Sequence, residues 1–251
     1  MKTFIALAAL ISTICHLGCA APIELVRKEA PAIWKIELDR SNAYVVRGRR
    51  TILVDTGWTA TVGKLEQALA KLGVTEVALI VLTHGHGDHA GGAARLHARF
   101  GAPIVAGAAD VPMLEAGRNR PLRPMTGFAR LIRASSDQPF AAFTPGLPIT
   151  AELDLASYGV DGVVVPAPGH TPGSLVVVLA SGDALVGDLV RGELFAPHTP
   201  ARHFFHDDCN AAEAQLDPLI AGHRERLLVG HGGPLATRAA RDRLRIKPCP
   251  L

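Results

Sequence analysis

The chain has 251 residues, 48% of them hydrophobic and 20% charged, a balance that supports a full core and excludes wholesale disorder. Its formal net charge is only +3 and aromatic residues make up 5%. Neither a nucleic-acid footprint nor a base-stacking platform follows from such numbers.

At the N-terminus, Met1-Lys2 precedes the uncharged apolar run TFIALAALISTI and the small-residue segment CHLGCAAP. A charged start, a short apolar run and a small-residue end predict a secretory signal peptide over residues 1–21. Residues 22–251 are then the mature domain. The apolar run is too short to span a bilayer comfortably. Two processing routes stay open. Cleavage after Ala20 or Ala21 gives a periplasmic or secreted protein. Alternatively, Leu17-Gly18-Cys19-Ala20 resembles a bacterial lipobox, so that the protein would be anchored to a membrane through a lipid on Cys19. His16 stands where that pattern has an aliphatic residue. Beyond the leader, Cys209 and Cys249 are free to pair in an oxidising compartment, and neither has metal-type spacing.

Short apolar runs then alternate with Gly/Asp/His-rich breaks. Residues 43–47 and 51–54 read as strands. Residues 61–72 read as a helix, with Val62, Leu65, Leu69 and Leu72 on one face. Residues 77–82 read as a buried strand and 89–100 as a helix. Further strands are expected at 163–165, 175–179, 184–186 and 227–229, and helices at 210–222 and 236–245. Strands interleaved with helices predict an α/β architecture, its sheet layers covered by helices. Residues 108–148 stand apart as an insertion holding Arg118, Arg120, Arg123, Arg130 and Arg133, with no acid between Glu115 and Asp137. It reads either as a substrate lid that prefers anionic groups or as a solvated basic surface.

Five of the apolar strands deliver a His or Asp at or just beyond their C-terminal ends. Run 51–54 leads to Asp55, 77–82 to THGHGDH, 163–165 to His170, 184–186 to Asp188, and 227–229 to His231. That edge of an α/β sheet is where sites are assembled. Imidazole and carboxylate suit zinc, iron and related divalent ions. In HxHxDH, His84 and His86 are two residues apart and share a face if extended. Gly85 and Gly87 allow the tight loop that turns Asp88 and His89 toward a second ion. Taken singly, each of these residues has a bland role open to it, such as a turn, a cap or a satisfied histidine. The joint pattern points to a metal site.

THGHGDH, PGHTPGS, VGD and VGHG resemble, in order, the motifs of the metallo-β-lactamase fold superfamily, over roughly residues 32–240. The resemblance implies an αββα sandwich with metals at one edge. It assigns His84, His86 and His170 to a first ion, Asp88, His89 and His231 to a second, and Asp188 between them. Asp55 would support the site from behind, fixing a ligand or a loop. Two divalent ions are implied, zinc first, with iron or manganese as alternatives. The implied activity is hydrolysis of an ester, thioester, lactone or related bond in a small molecule. A water between the ions would attack, and Asp88 would orient it. Thr171-Pro172-Gly173-Ser174 is no GxSxG elbow, which argues against a serine hydrolase.

Within that superfamily, Asp188 after Gly187 favours the glyoxalase II-like and lactonase-like branches over β-lactamases. Arg191 stands where lactonases often carry a tyrosine, and no glutathione-binding segment is evident. A β-lactamase-like amide hydrolase, a mononuclear iron persulfide dioxygenase and a non-catalytic metal-binding protein remain as alternatives. Arg191, His203 and His206 are candidates to face the substrate, whereas His97 and His223 read as surface residues.

Overall fold

The computed structural model describes residues 20–222, 225–244 and 249. The leader through position 19, with Cys15 and Cys19, lies outside the described residues, as does His223.

Alternation of apolar side chains sets the layers. In β3 (Ser41–Arg47), Tyr44 and Val46 face one side and Val45 the other; in β4 (Thr51–Val54), Ile52 and Val54 oppose Leu53. Because side chains alternate across a strand, both faces of this sheet are apolar and both must be covered. The inner face meets Val164, Leu175, Val177, Leu185 and Leu228 of a second sheet. The outer face packs against helices through Leu65, Leu69 and Leu96.

The first sheet also contains β1 (Ile23–Arg27), β2 (Ala32–Leu38), β5 (Leu79–Val81), β6 (Ile104–Gly107) and β7 (Leu147–Ile149), ordered β1 to β7. It is antiparallel up to β4 and parallel beyond. The second sheet contains β8 (Leu153–Asp154), β9 (Gly162–Pro166), β10 (Leu175–Leu179), β11 (Asp183–Gly187), β14 (Arg226–Val229) and β15 (Leu235–Ala236). Its order is β15-β14-β11-β10-β9-β8. A small ribbon, β12 (Arg191–Gly192) with β13 (Pro200–Ala201), lies between β11 and β14 in sequence. The outer face of the second sheet is covered through Ala212, Leu216 and Ala240 of α6 (Cys209–Ala221) and α7 (Thr237–Leu244). The result is the αββα sandwich.

The first sheet's helices are α1 (Val62–Lys71), α2 (Gly87–Ala90), α3 (Ala93–Phe100) and α4 (Val111–Ala116); α5 (Gly127–Ser136) packs apart from it, through Ala129 against Leu122 and Phe205. The single helix expected at 89–100 is two helices. The break falls at Gly91-Gly92, where the backbone packs against residues 56–59. A Cβ on Gly91 would lie 2.5 Å from the Gly87 oxygen and 2.6 Å from the Thr59 nitrogen, so only glycine fits. The strands β1 and β2 were not expected from sequence. The basic insertion contains α4 and α5 and returns to the first sheet as β7. Cys209, at the start of α6, is disulfide-bonded to Cys249, with Cα atoms 5.9 Å apart. No described helix is long and apolar enough to cross a membrane.

Candidate metal centre

The parallel register of β4 with β5 and of β11 with β14 brings their C-terminal ends to one edge. β10 is antiparallel to both β9 and β11, so β9 ends on that edge too. Asp55, the HxHxDH loop, His170, Asp188 and His231 therefore converge.

Asp188 occupies the middle. Its Oδ2 lies 3.1 Å from Nε2 of both His203 and His231, 3.4 Å from His89, 3.6 Å from His170 and 3.8 Å from His84. His86 Nδ1 is 3.1 Å from His170 Nε2. Asp88 Oδ2 is 3.3 Å from His231 Nε2 and 3.7 Å from His89 Nε2. Ligand atoms about 2.1 Å from a tetrahedral ion lie roughly 3.4 Å apart, so these spacings suit shared ions.

A second set of side chains fixes the rings. Asp55 is in the left-handed region, with φ of 62°, a strained conformation for a non-glycine residue. Its carboxylate accepts from the Thr83 N–H at 2.7 Å, the Thr83 hydroxyl at 2.8 Å and His89 Nδ1 at 2.8 Å. Asp110, which sequence reasoning missed, is fully buried just beyond β6. It accepts from the Gly85 N–H at 2.8 Å, the Thr171 hydroxyl at 2.6 Å and the Gly173 N–H at 2.9 Å. It thus ties the HxHxDH loop to the His170 loop. Asn119 was missed as well; it accepts from the Gly87 N–H at 2.9 Å. The signal for Asp110 was available: an acid just past a strand parallel to β5. The His231 loop is held by the other sheet. Asn42 Nδ2 donates to the Val229 and Gly232 oxygens, both at 2.8 Å, Tyr44 donates to Val229 at 2.7 Å, and His231 Nδ1 bonds the Arg40 carbonyl.

Among the protein groups themselves, burial and neighbouring imidazoles push His84 and His170 well below the ordinary imidazole range. Burial takes His203 down to about 3 and His206 to about 4. Burial also opposes charge on His89 and His231, but the carboxylates outweigh it. His89 ends well above its ordinary value, and His231 rises to about 10. Asp188 is held well below the carboxylate range by His231, His203 and His89, against the effect of burial.

The donors fit a divalent metal. His84 Nε2, His89 Nε2 and Asp188 Oδ1 are buried without a hydrogen-bond partner among the described residues, which is costly unless something else satisfies them. Four groups of three ligand atoms each lie within 4.8 Å: His84 with His86 and His170; His84 with Asp88 and His89; His89 with Asp188 and His231; His170 with Asp188 and His203.

A cavity of about 470 Å³ opens over the centre, reaching His86, Asp88, Asp188, His203 and His231. Arg191 lines it, with its guanidinium 3.8 Å from the Phe204 ring centroid. Leu122, Phe128, Ile132 and Trp58 form apolar walls. His206 does not line the cavity. It packs behind His170, ring centroids 5.4 Å apart. His97 is exposed on α3 and bonds the Ala102 carbonyl at 2.7 Å.

The family model for the metallo-beta-lactamase superfamily matches residues 36–231. The chain belongs to this superfamily. A probable metallo-hydrolase of Methanocaldococcus jannaschii is 28% identical over 195 residues, covering 74% of this chain and 88% of that one. A hydroxyacylglutathione hydrolase of Acidiphilium cryptum is 35% identical over 187 residues, covering 68% of this chain and 64% of its own length. Among solved structures, a Thermus thermophilus metallo-beta-lactamase family protein aligns at a TM-score of 0.59 and 25% identity, over 89% of this chain and 77% of that one. A Cronobacter sakazakii metallo-beta-lactamase aligns at 0.60 and 21%, over 85% and 79%, and speaks for the fold alone. This superfamily member is a metal-dependent hydrolase with a His/Asp metal-binding cluster.

Proposed function

We propose that the protein is an exported hydrolase that holds two divalent ions, zinc by ligand type, and opens an ester, thioester or lactone bond in a small molecule with an apolar acyl part. The carrying observation is Asp188, whose Oδ2 lies within 3.8 Å of five imidazole nitrogens. A carboxylate so placed suits a group shared between two ions. His84, His86 and His170 would hold one ion, and Asp88, His89 and His231 the other. Bound metal supplies Lewis acidity and an activated water.

The chain's own residues do the rest. Asp88 faces the cavity beside His231, where its carboxylate orients the attacking water and accepts its proton. Arg191, stacked on Phe204, sets a fixed positive charge beside the reacting group and favours an anionic substrate. Leu122, Phe128 and Ile132 cover the acyl part and exclude water. The 35% identity with a hydroxyacylglutathione hydrolase supports ester or thioester chemistry over amide cleavage. The leader pattern and the Cys209–Cys249 bridge support export to an oxidising compartment, periplasmic or secreted.

The test is elemental analysis of the purified mature protein, paired with ester, thioester, lactone and β-lactam substrates. Two metals per chain and turnover of the oxygen or sulfur esters are expected. Fully loaded protein that turns over none of them, or cleaves only β-lactams, overturns the proposal.

A further inference from the structure

We infer that the rim of the cavity is a docking surface for an anionic phospholipid bilayer. The large apolar side chains that stand exposed among the described residues are Leu25, Phe128, Leu131, Leu194 and Phe195. All but Leu25 gather at one place. Phe128 and Leu194 line the cavity mouth. Leu131 is 79% exposed, one helical turn from Phe128 on α5 and beside the lining residue Ile132. Phe195, 99% exposed, follows Leu194. Such exposure is costly in water, and its clustering around one opening marks a contact surface.

The charge beside it says what the surface meets. Arg118, Arg120 and Arg133 line a groove of about 610 Å³ that shares Leu122 with the cavity; its one acid is Asp137. Arg130 adds a further exposed cation on α5. Arg120 also reaches Asp207, at 3.8 Å. Among the described residues, Arg118, Arg130 and Arg133 make no ion pair. A short helix with exposed Phe and Leu, flanked by arginines, is the pattern of a segment lying at a membrane interface. Guanidinium groups match phosphate in geometry and charge. The apolar rim would sit at the acyl boundary, the groove would hold lipid phosphates, and the cavity would open onto the bilayer.

The experiment is co-sedimentation of the mature protein, residues 22–251, with phosphatidylcholine vesicles, with and without phosphatidylglycerol. Binding is scored without turnover, so it is independent of the hydrolase proposal. The expected result is binding to the anionic vesicles that weakens as salt is raised. Arg118→Glu and Arg133→Glu should each lower partitioning by at least about fivefold, the loss expected for one cation near an anionic surface. Leu131→Ser with Phe195→Ser should lower it in both salt conditions. These four side chains are exposed, so circular dichroism and turnover of a water-soluble acetate ester should be unchanged. Equal partitioning to neutral and anionic vesicles, or variants that bind like the parent, overturns the inference. Absent vesicle binding together with a concentration-dependent dimer in sedimentation velocity also overturns it, and assigns the face to a second copy.

Discussion

Asp55 accepts a hydrogen bond from His89 Nδ1 at 2.8 Å, and this one contact sets which nitrogen of His89 is free. A carboxylate can only accept, so Nδ1 carries a proton, and Nε2, facing Asp188 and Asp88, is the nitrogen left to give up its proton to a metal. Asp55→Ala removes that constraint and leaves the Thr83 N–H buried without its acceptor. Metal affinity, read by chelator competition, should fall about 10- to 100-fold. Asp55→Asn should retain the Thr83 N–H contact but present an amide to His89, and so recover folding stability more than metal affinity.

Asp110 joins the two loops that carry His84, His86 and His170. Asp110→Ala strands the Gly85 and Gly173 N–H groups in the interior, at roughly 1–3 kcal/mol for each buried unsatisfied donor. Thermal unfolding should shift down by several degrees, and the loaded metal should dissociate faster. Asp110→Asn keeps an acceptor and should be milder in both measurements.

Gly230 precedes His231 and runs against the centre. A Cβ there would sit 2.1 Å from Asp188 Oδ1 and 2.5 Å from His89 Cε1. Gly230→Ala must displace one of those groups. Metal content per chain should fall below that of the parent and hydrolysis should drop by about 10- to 100-fold, as expected when ligand orientation is lost. Circular dichroism should be nearly unchanged.

His206 is one of several buried imidazoles, with His84, His170 and His203, whose lowered values would make the metal-free protein sensitive to acid. Burial lowers His206 to about 4 when folded, against 6.5 as the ordinary value. Between those limits the unfolded chain takes up a proton that the folded chain does not, so stability falls as pH drops from about 6.5 to about 4. His89 and His231 are raised and act in the opposite sense, losing their contribution only as pH rises through their folded values. His206→Leu should flatten the acid limb of a metal-free denaturation series by up to about 3 kcal/mol. An unchanged acid limb would remove His206 from the account.

Much of the centre was legible because its histidines and aspartates sit at strand ends, where hydrophobic runs stop abruptly. The runs at 51–54 and 175–179 match strands β4 and β10 residue for residue. Asp110 escaped because it precedes a helix, where an acid reads as a cap; its partners on the 171–173 loop are set by tertiary packing alone. The break at Gly91-Gly92 escaped because helical periodicity carries no record of the Thr59 backbone packed where a Cβ on Gly91 would stand. β1 and β2 escaped because Glu24, Lys35 and Glu37 interrupt the apolar pattern. In the fold, Lys35 bridges both acids, at 2.7 and 3.0 Å.

The clasp of Asn42 and Tyr44 on the loop at 229–232 has a consequence for how the centre comes into being. Its holders are near the start of the chain and its cargo near the end, 185 to 190 positions apart. A nascent chain that has emerged through Asp188 already carries the HxHxDH residues and His170. It lacks His231 and the strand that the clasp grips. With the ligand set proposed above, a fragment that stops short of this strand would lack both His231 and its clasp, so full metal affinity would require the completed chain.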